Sequence, residues 1–420
     1  MRDHLGRPVV VVTGLGLATP LGFGREDNWR KLTAGESGIH EITRFPIDGL
    51  RTRIAGTIDG LDIDPMSAPE LSLRLAQMAM REAAEQAGVA KGTFPGPLFL
   101  AVPPVEMEWS HKFDVRSHVE TAARGYAAML EAARKTRFEA MHELIQFGRT
   151  ADRLQDEFGT RGLPISLSTA CASGATAVQM GAEAIRRGET DAAFCVGTDG
   201  SVHVESLIRF SLLSALSTQN EPPEEASKPF SKDRDGFVMA EGAGALVLES
   251  YERAKARGAA VLAILRGCGE KADDFHRTRS SPDGSPAIAA VERALADANL
   301  AAADLSTINA HGTSTPENDK MEALSLTTAL GEHAASIPIT SNKSMIGHTL
   351  TAAGAIEAVF SCLTLLQGRV PPTINYRNPD PDIGLDVVSE ARDLQATSVM
   401  SNSFGFGGQN ACLVFGTEAG

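Results

Sequence analysis

The chain has 420 residues, 43% of them hydrophobic and 22% charged, with a formal net charge of −14 at neutral pH. That is enough apolar material for two domains or one duplicated fold and too much for a disordered chain, and the acidic balance speaks against a nucleic-acid partner, which calls for a basic surface. The five cysteines, Cys171, Cys195, Cys268, Cys362 and Cys412, show no CxxC pair and no regular spacing; this speaks against a disulfide framework or a zinc site and fits a reducing cytoplasm.

In chain order the grammar is strand, glycine turn, helix. VVVVTGLG at 9–16 reads as a buried strand, and its apolar run is broken by glycine too early to span a bilayer or form a signal core. LSLRLAQMAMREAAEQAG, 71–88, has apolar residues at three- and four-residue spacing and predicts a helix. From about 101 to 160 the composition turns charged and amphipathic, opening with AVPPVEMEWSHKF and continuing to RTADRLQDEF; one or two long helices inserted in the first half are expected there. DAAFCVGTDG and GALVLE read as further strands. Downstream, VERALADANL and AAGAIEAVFSCLTLLQG predict helices, STINAHGTST a strand opening into a polar loop, and VVSEA, SVMSNS and ACLVFG strands. EGAGALVLES and GGQNACLVFG both run a glycine turn into an apolar strand, so the expected organisation is two similar α/β halves, 1–252 and 253–420.

The chemistry-bearing residues stand at the element ends. In LSTACASGATAV, Cys171 sits where small residues turn into a helix; free amides there lower a thiol pKa, and the Cys171 amide itself can bind an oxyanion. Taken alone, such a cysteine reads more readily as a small core hydrophobe. NAHGTSTPENDK presents His311 after an apolar strand with Thr313 and Thr315 beside it, and SNKSMIGHTLTAAGAIEA puts Lys343 and His348 before a helix carrying Glu357. One loop histidine is ordinarily a satisfied side chain; two beside a candidate nucleophile suit oxyanion donors or acid and base near neutral pH. SNSFGFGGQN alternates Phe404 and Phe406 with glycines, either a plain turn or one that swings a ring across a pocket. Two other motifs fail. GLGLAT puts Thr19 where a dinucleotide fingerprint needs its third glycine, with Pro20 close behind, and DRDG lacks the final glutamate of a calcium loop because Gly244 stands there.

Together, from VVVTGLGLATPLG through ALSTQNEPPEEASKPFSKDRDGFVMAEGAGALVLE to MSNSFGFGGQNACLVF, these blocks resemble the elongating β-ketoacyl-acyl carrier protein synthases of the thiolase-like superfamily. The resemblance implies a five-layered αβαβα fold of two similar halves. It implies an acyltransferase that condenses an acyl chain with malonyl-acyl carrier protein by decarboxylation to give the 3-oxoacyl product. On it, Cys171 is the acyl-accepting nucleophile and His311 and His348 drive decarboxylation, while Lys343 pairs with Glu357. The amides of Cys171 and Phe406 hold the oxyanion, Thr313 and Thr315 bind the phosphopantetheine arm, and Phe404 and Phe406 flank the substrate, Phe406 as gate. No resident cofactor or metal is implied, since phosphopantetheine arrives on the carrier protein. A homodimer is expected. Arg74, Arg277 and Arg279 are candidates for docking the acidic carrier. The 101–160 segment departs from the family pattern and points to a specialised or long acyl chain. A noncatalytic partner subunit, the alternative class, lacks the nucleophile as a rule. A degradative thiolase has a second cysteine near its C-terminus, and SFGFGGQNA has none.

Overall fold

The computed structural model describes all residues except 65, 105–106, 108, 120–123, 136–137 and 418–420. Its main sheet of 12 strands contains two like sets of five. The first comprises β1 (Val10–Thr19), β2 (Leu98–Ala101), β3 (Ile165–Leu167), β4 (Ala192–Asp199) and β5 (Gly242–Ser250), in spatial order β1-β5-β4-β2-β3. The second comprises β6 (Ala263–Ala272), β7 (Thr307–Asn309), β8 (Pro338–Thr340), β9 (Ser398–Phe404) and β10 (Gln409–Gly416), in spatial order β6-β10-β9-β7-β8. In each set the first two pairings are antiparallel and the last two parallel. One topology is thus written twice. The sets join where Val10–Val12 of β1 pair antiparallel with Ala263–Leu265 of β6.

Besides the helices Arg25–Ala34 and Tyr251–Ala256, which do not bear on the site, the described helices in chain order are α1 (Ala68–Gln86), α2 (Trp109–Ser117), α3 (Gly125–Lys135), α4 (Glu139–Leu144), α5 (Arg149–Phe158), α6 (Ser173–Arg186), α7 (Val204–Leu212), α8 (Ser285–Ala298), α9 (Pro316–Leu330), α10 (Lys343–Ile346) and α11 (Ala353–Gln367). Because strand side chains alternate between faces, Leu246 and Leu248 of β5 join one core with α6 and α11, whereas Ala243, Ala245 and Val247 join another with α1. α8 covers β6 and β10 on the far side. The layering is helix, sheet, helix, sheet, helix: the thiolase-like αβαβα arrangement.

Both central helices are held close by glycine. A Cβ on Gly174 would lie 2.4 Å from Ala355 N, and one on Gly354 2.5 Å from Ala175 N, a reciprocal contact between α6 and α11 that mirrors the duplication. α11 is buried on every side from Ala353 to Leu365, which explains its nearly uniform apolar sequence. Leu350–Gln367 is the one described helical stretch long and apolar enough to cross a membrane, and 89% of it is buried inside the protein. Gly14 and Gly16, the glycines of the failed dinucleotide motif, lie within β1, where a side chain on Gly16 would meet Ala79 O of α1 at 1.9 Å.

Two expectations are corrected. The described residues of the 101–160 segment form four short helices, α2 to α5, rather than one or two long ones. Gly148 precedes α5 and separates it from α4, a residue that costs a continuous helix about 1 kcal/mol. Of VVSEA only Val387 lies in a strand, Asp386–Val387, whose pairing with Pro338–Ile339 ends there.

Candidate active site

The site grows from the ends of the parallel strands. After β3 the chain turns through Thr169–Ala172 into α6, and Ala170 adopts φ 48°, a left-handed conformation costly for a residue with a Cβ. Ser173 locks that turn, its Oγ donating to Ala170 O at 2.5 Å and accepting from Thr169 N at 2.8 Å. Among the described residues neither the Cys171 nor the Phe406 N–H has a backbone acceptor, and the Phe406 N–H is directed at the Cys171 sulfur. Two amides are therefore free to hold an oxygen that becomes negative there.

His311 follows β7, and Lys343 and His348 follow the neighbouring parallel strand β8, so all three open on one side of the sheet. Their rings stand 5.3 Å apart at 85°. The Glu322 carboxylate of α9 accepts from His311 N at 2.9 Å, Gly312 N at 2.7 Å and Asn402 Nδ2 at 3.2 Å, fixing the turn that carries the imidazole. Lys343 Nζ lies 3.4 Å from His311 Nδ1 and forms a buried ion pair with Glu357. Leu350 N donates to His348 Nδ1 at 3.3 Å, which puts the His348 proton on Nε2, a buried atom without a partner among the described residues. With the Lys343 ammonium donating to Nδ1, His311 likewise carries its proton on Nε2. Burial and the Lys343 charge hold both histidines well below the ordinary imidazole range, so both are neutral at pH 7. The pair presents two neutral N–H donors.

The Cys171 thiol is pushed up to about 11 by burial, which outweighs the downward pull of the Phe406 N–H and Lys343. This reverses the expectation of a lowered thiol. α6 starts at Ser173, beyond the cysteine, and desolvation dominates the helix-end field. Alkylation of resting Cys171 by iodoacetamide is accordingly expected to accelerate without levelling off up to about pH 10, followed by peptide mass mapping; a plateau near neutrality would contradict a protonated resting thiol.

Cys171, His311 and His348 offer donor atoms that all lie within 4.8 Å of one another. Two cavities meet at this point. An outer one of about 670 Å³ includes His311, His348, Thr313, Thr315, Arg277 and Arg279; an inner one of about 420 Å³ includes Ala170, Asp199 and Thr150. Cys171, Phe210, Leu213, Leu350 and Phe406 line both. Phe404 lines the outer cavity, its ring 6.1 Å from that of His311. The hydroxyls of Thr313 and Thr315 are 2.9 Å apart. Arg74 lines neither cavity, whereas Val102–Pro104 of the divergent segment line the inner one.

Sequence reasoning missed Glu322, Asp199 and the shared lining residues Phe210, Leu213 and Leu350. Asp319 and Glu322, three apart on a helix starting at Pro316 and both wholly buried, carried a usable signal. Asp199 carried none, since besides its neighbour Ser201 it is held by Thr351, which lies far off in the chain.

Residues 7–254 match the beta-ketoacyl synthase N-terminal domain and residues 262–377 the beta-ketoacyl synthase C-terminal domain. The chain belongs to the beta-ketoacyl synthase family. Among relatives of this family, the 3-oxoacyl-[acyl-carrier-protein] synthase 2 of Vibrio cholerae is 36% identical over 97% of this chain and 98% of its own length. The Synechocystis protein of the same name is 37% identical over 98% and 99%. A solved beta-ketoacyl synthase from Burkholderia phymatum is 31% identical with a TM-score of 0.84, covering 98% of this chain and all of its own. A type II polyketide ketosynthase, solved with its acyl-carrier protein and bound to a hexaketide, is 30% identical with a TM-score of 0.88 and the same coverage.

Proposed function

We propose that this beta-ketoacyl synthase elongates an acyl chain held on a carrier protein, by decarboxylative condensation with malonyl-carrier protein. The observation that carries the reading is the convergence of Cys171, His311 and His348 where two cavities meet. Cys171 Sγ attacks the acyl thioester carbonyl, the C–S bond to the carrier's phosphopantetheine breaks, and the cysteine proton leaves with the carrier thiol. The amides of Cys171 and Phe406 hold the transient oxyanion. Malonyl-carrier protein then enters through the outer cavity, its arm beside Thr313 and Thr315. The bond to its carboxylate breaks, carbon dioxide leaves, and the electron pair passes into an enolate whose oxygen takes the two Nε2–H donors of His311 and His348. The enolate carbon attacks the acyl-cysteine carbonyl, Cys171 departs as thiolate, and a proton taken up from solvent restores the resting thiol. Lys343 and Glu357 keep His311 in its required tautomer, and Phe406, with Phe404 beside it, gates the junction. The enzyme needs no resident cofactor or metal. It works as a cytoplasmic homodimer, to which the one-sided edge of β3 and exposed Leu163 and Ile165 offer a surface.

Mass-spectrometric product analysis with malonyl-carrier protein and mixed acyl donors tests this reading. The expected product is a 3-oxoacyl chain two carbons longer than the donor; no product from any donor would leave a noncatalytic partner subunit as the reading. The acidic carrier docks beside Arg277 and Arg279 at the outer mouth. Gly407 N binds only the backbone oxygen of Arg277, so charge reversal spares the loop. R277E/R279E is expected to raise the carrier KM about tenfold with turnover at saturation little changed; an unchanged KM would reject that docking face.

A further inference from the structure

One buried carboxyl beside the site takes no part in the steps above. Asp199, the last residue of β4, is 1% exposed and lines the inner cavity. Its Oδ1 accepts from Ser201 N at 3.0 Å and from Ser201 Oγ at 2.5 Å. Its Oδ2 accepts from Thr351 N at 3.1 Å and lies 2.7 Å from Thr351 Oγ1, which in turn is 2.8 Å from Thr198 O. Burial holds the carboxyl above its ordinary range against the pull of these bonds. What the bonds secure is the turn after His348. Thr351 follows Leu350, whose φ of 46° is a left-handed conformation that a leucine keeps only where its surroundings fix it. In that conformation Leu350 N donates to His348 Nδ1 at 3.3 Å.

We propose that Asp199 is a positioning residue for decarboxylation: by holding Thr351 it keeps Leu350 in its strained backbone, and Leu350 in turn keeps the His348 proton on Nε2, facing the enolate oxygen. The inference rests on the condensing reading above and adds to it a residue from the other half of the chain. If the turn relaxes, Leu350 N leaves Nδ1 and the proton is free to sit on either ring nitrogen. An Nε2 lone pair turned to the enolate then repels the charge it should stabilise. An asparagine does not replace this carboxyl. Each oxygen accepts from a backbone N–H, Ser201 on one side and Thr351 on the other, so an amide sets its NH2 against one of them. Acylation of Cys171 uses the Cys171 and Phe406 amides and no proton of His348, so it does not depend on Asp199.

The test separates two half-reactions in the full-length enzyme: acylation of Cys171 by an acyl-carrier protein, read by intact mass, and carbon dioxide release from malonyl-carrier protein. D199N is expected to slow carbon dioxide release about 30-fold without slowing acylation. T351A, which keeps the N–H and loses the hydroxyl, is expected to slow release about threefold and gives a second reading should D199N fold poorly. Nitrogen-15 ring spectra of histidine-labelled protein, with His348 assigned by its absence in H348Q, are expected to show the Nε2–H tautomer in the unaltered enzyme and a mixture in D199N. Release unchanged in both variants, or both half-reactions slowed alike with the His348 tautomer unmoved, overturns the inference while leaving the condensing reading intact. Unaltered enzyme that neither acylates nor releases carbon dioxide overturns both.

Discussion

Replacing Cys171 with alanine is expected to lower condensation by at least about 10⁴-fold, because no other described thiol lines either cavity and the covalent step has no substitute. The same variant should still decarboxylate malonyl-carrier protein. The Nε2–H donors of His311 and His348 are set by Leu350 N, Lys343 and Glu322, none of which depends on the sulfur. Carbon dioxide release measured beside chain elongation checks both halves. Loss of decarboxylation together with elongation would mean that the histidine pair is not an independent unit.

Lys343→Met is the second large effect. Lys343 and Glu357 are each 1% exposed, so removing the ammonium leaves a carboxylate buried without its partner, at a cost of about 3–5 kcal/mol in stability. Burial already holds the Glu357 carboxyl above its usual range against the Lys343 charge, and without that charge it is driven further toward the protonated form. The double variant K343M/E357L removes both charges and is expected to regain most of the lost stability, as measured by denaturant unfolding. Activity should stay low in both variants, since His311 Nδ1 has lost the donor that fixed its tautomer. Recovery of activity with stability would assign the pair to packing alone.

How much of this was legible in the chain differs from residue to residue. Strand ends were readable because an apolar run breaking into glycine and hydroxyl residues has few alternatives, which is how Cys171, His311 and His348 could be singled out. The duplicated grammar around EGAGALVLES and GGQNACLVFG corresponds to β5 and β10, antiparallel strands at equivalent places in the two sets. The ionisation of the thiol was not readable. A helix start is local, but desolvation belongs to the assembled fold, and here it is the larger influence. The histidine tautomers were equally hidden, since they depend on Leu350 N and Lys343 Nζ meeting two rings from separate loops. Leu350, at φ 46°, has the same strained left-handed backbone as Ala170, and no residue type announced either. In the 101–160 segment helical periodicity was visible, but the division of its described residues into short helices, as at Gly148 between α4 and α5, was not, because amphipathic spacing runs on past that glycine.

The central claim is spatial: two oxygen-binding sites flank one sulfur, one formed by the amides of Cys171 and Phe406 and the other by the two imidazole N–H groups across from them. The measurement that tests it most directly is a crystal structure of the acylated enzyme with a non-hydrolysable malonyl-thioester mimic. Electron density continuous from Cys171 Sγ is expected, with the acyl oxygen between the Cys171 and Phe406 amides and the mimic's carbonyl within hydrogen-bond reach of both Nε2 atoms. An acyl group on another residue, or a mimic carbonyl turned away from His311 and His348, would contradict the account.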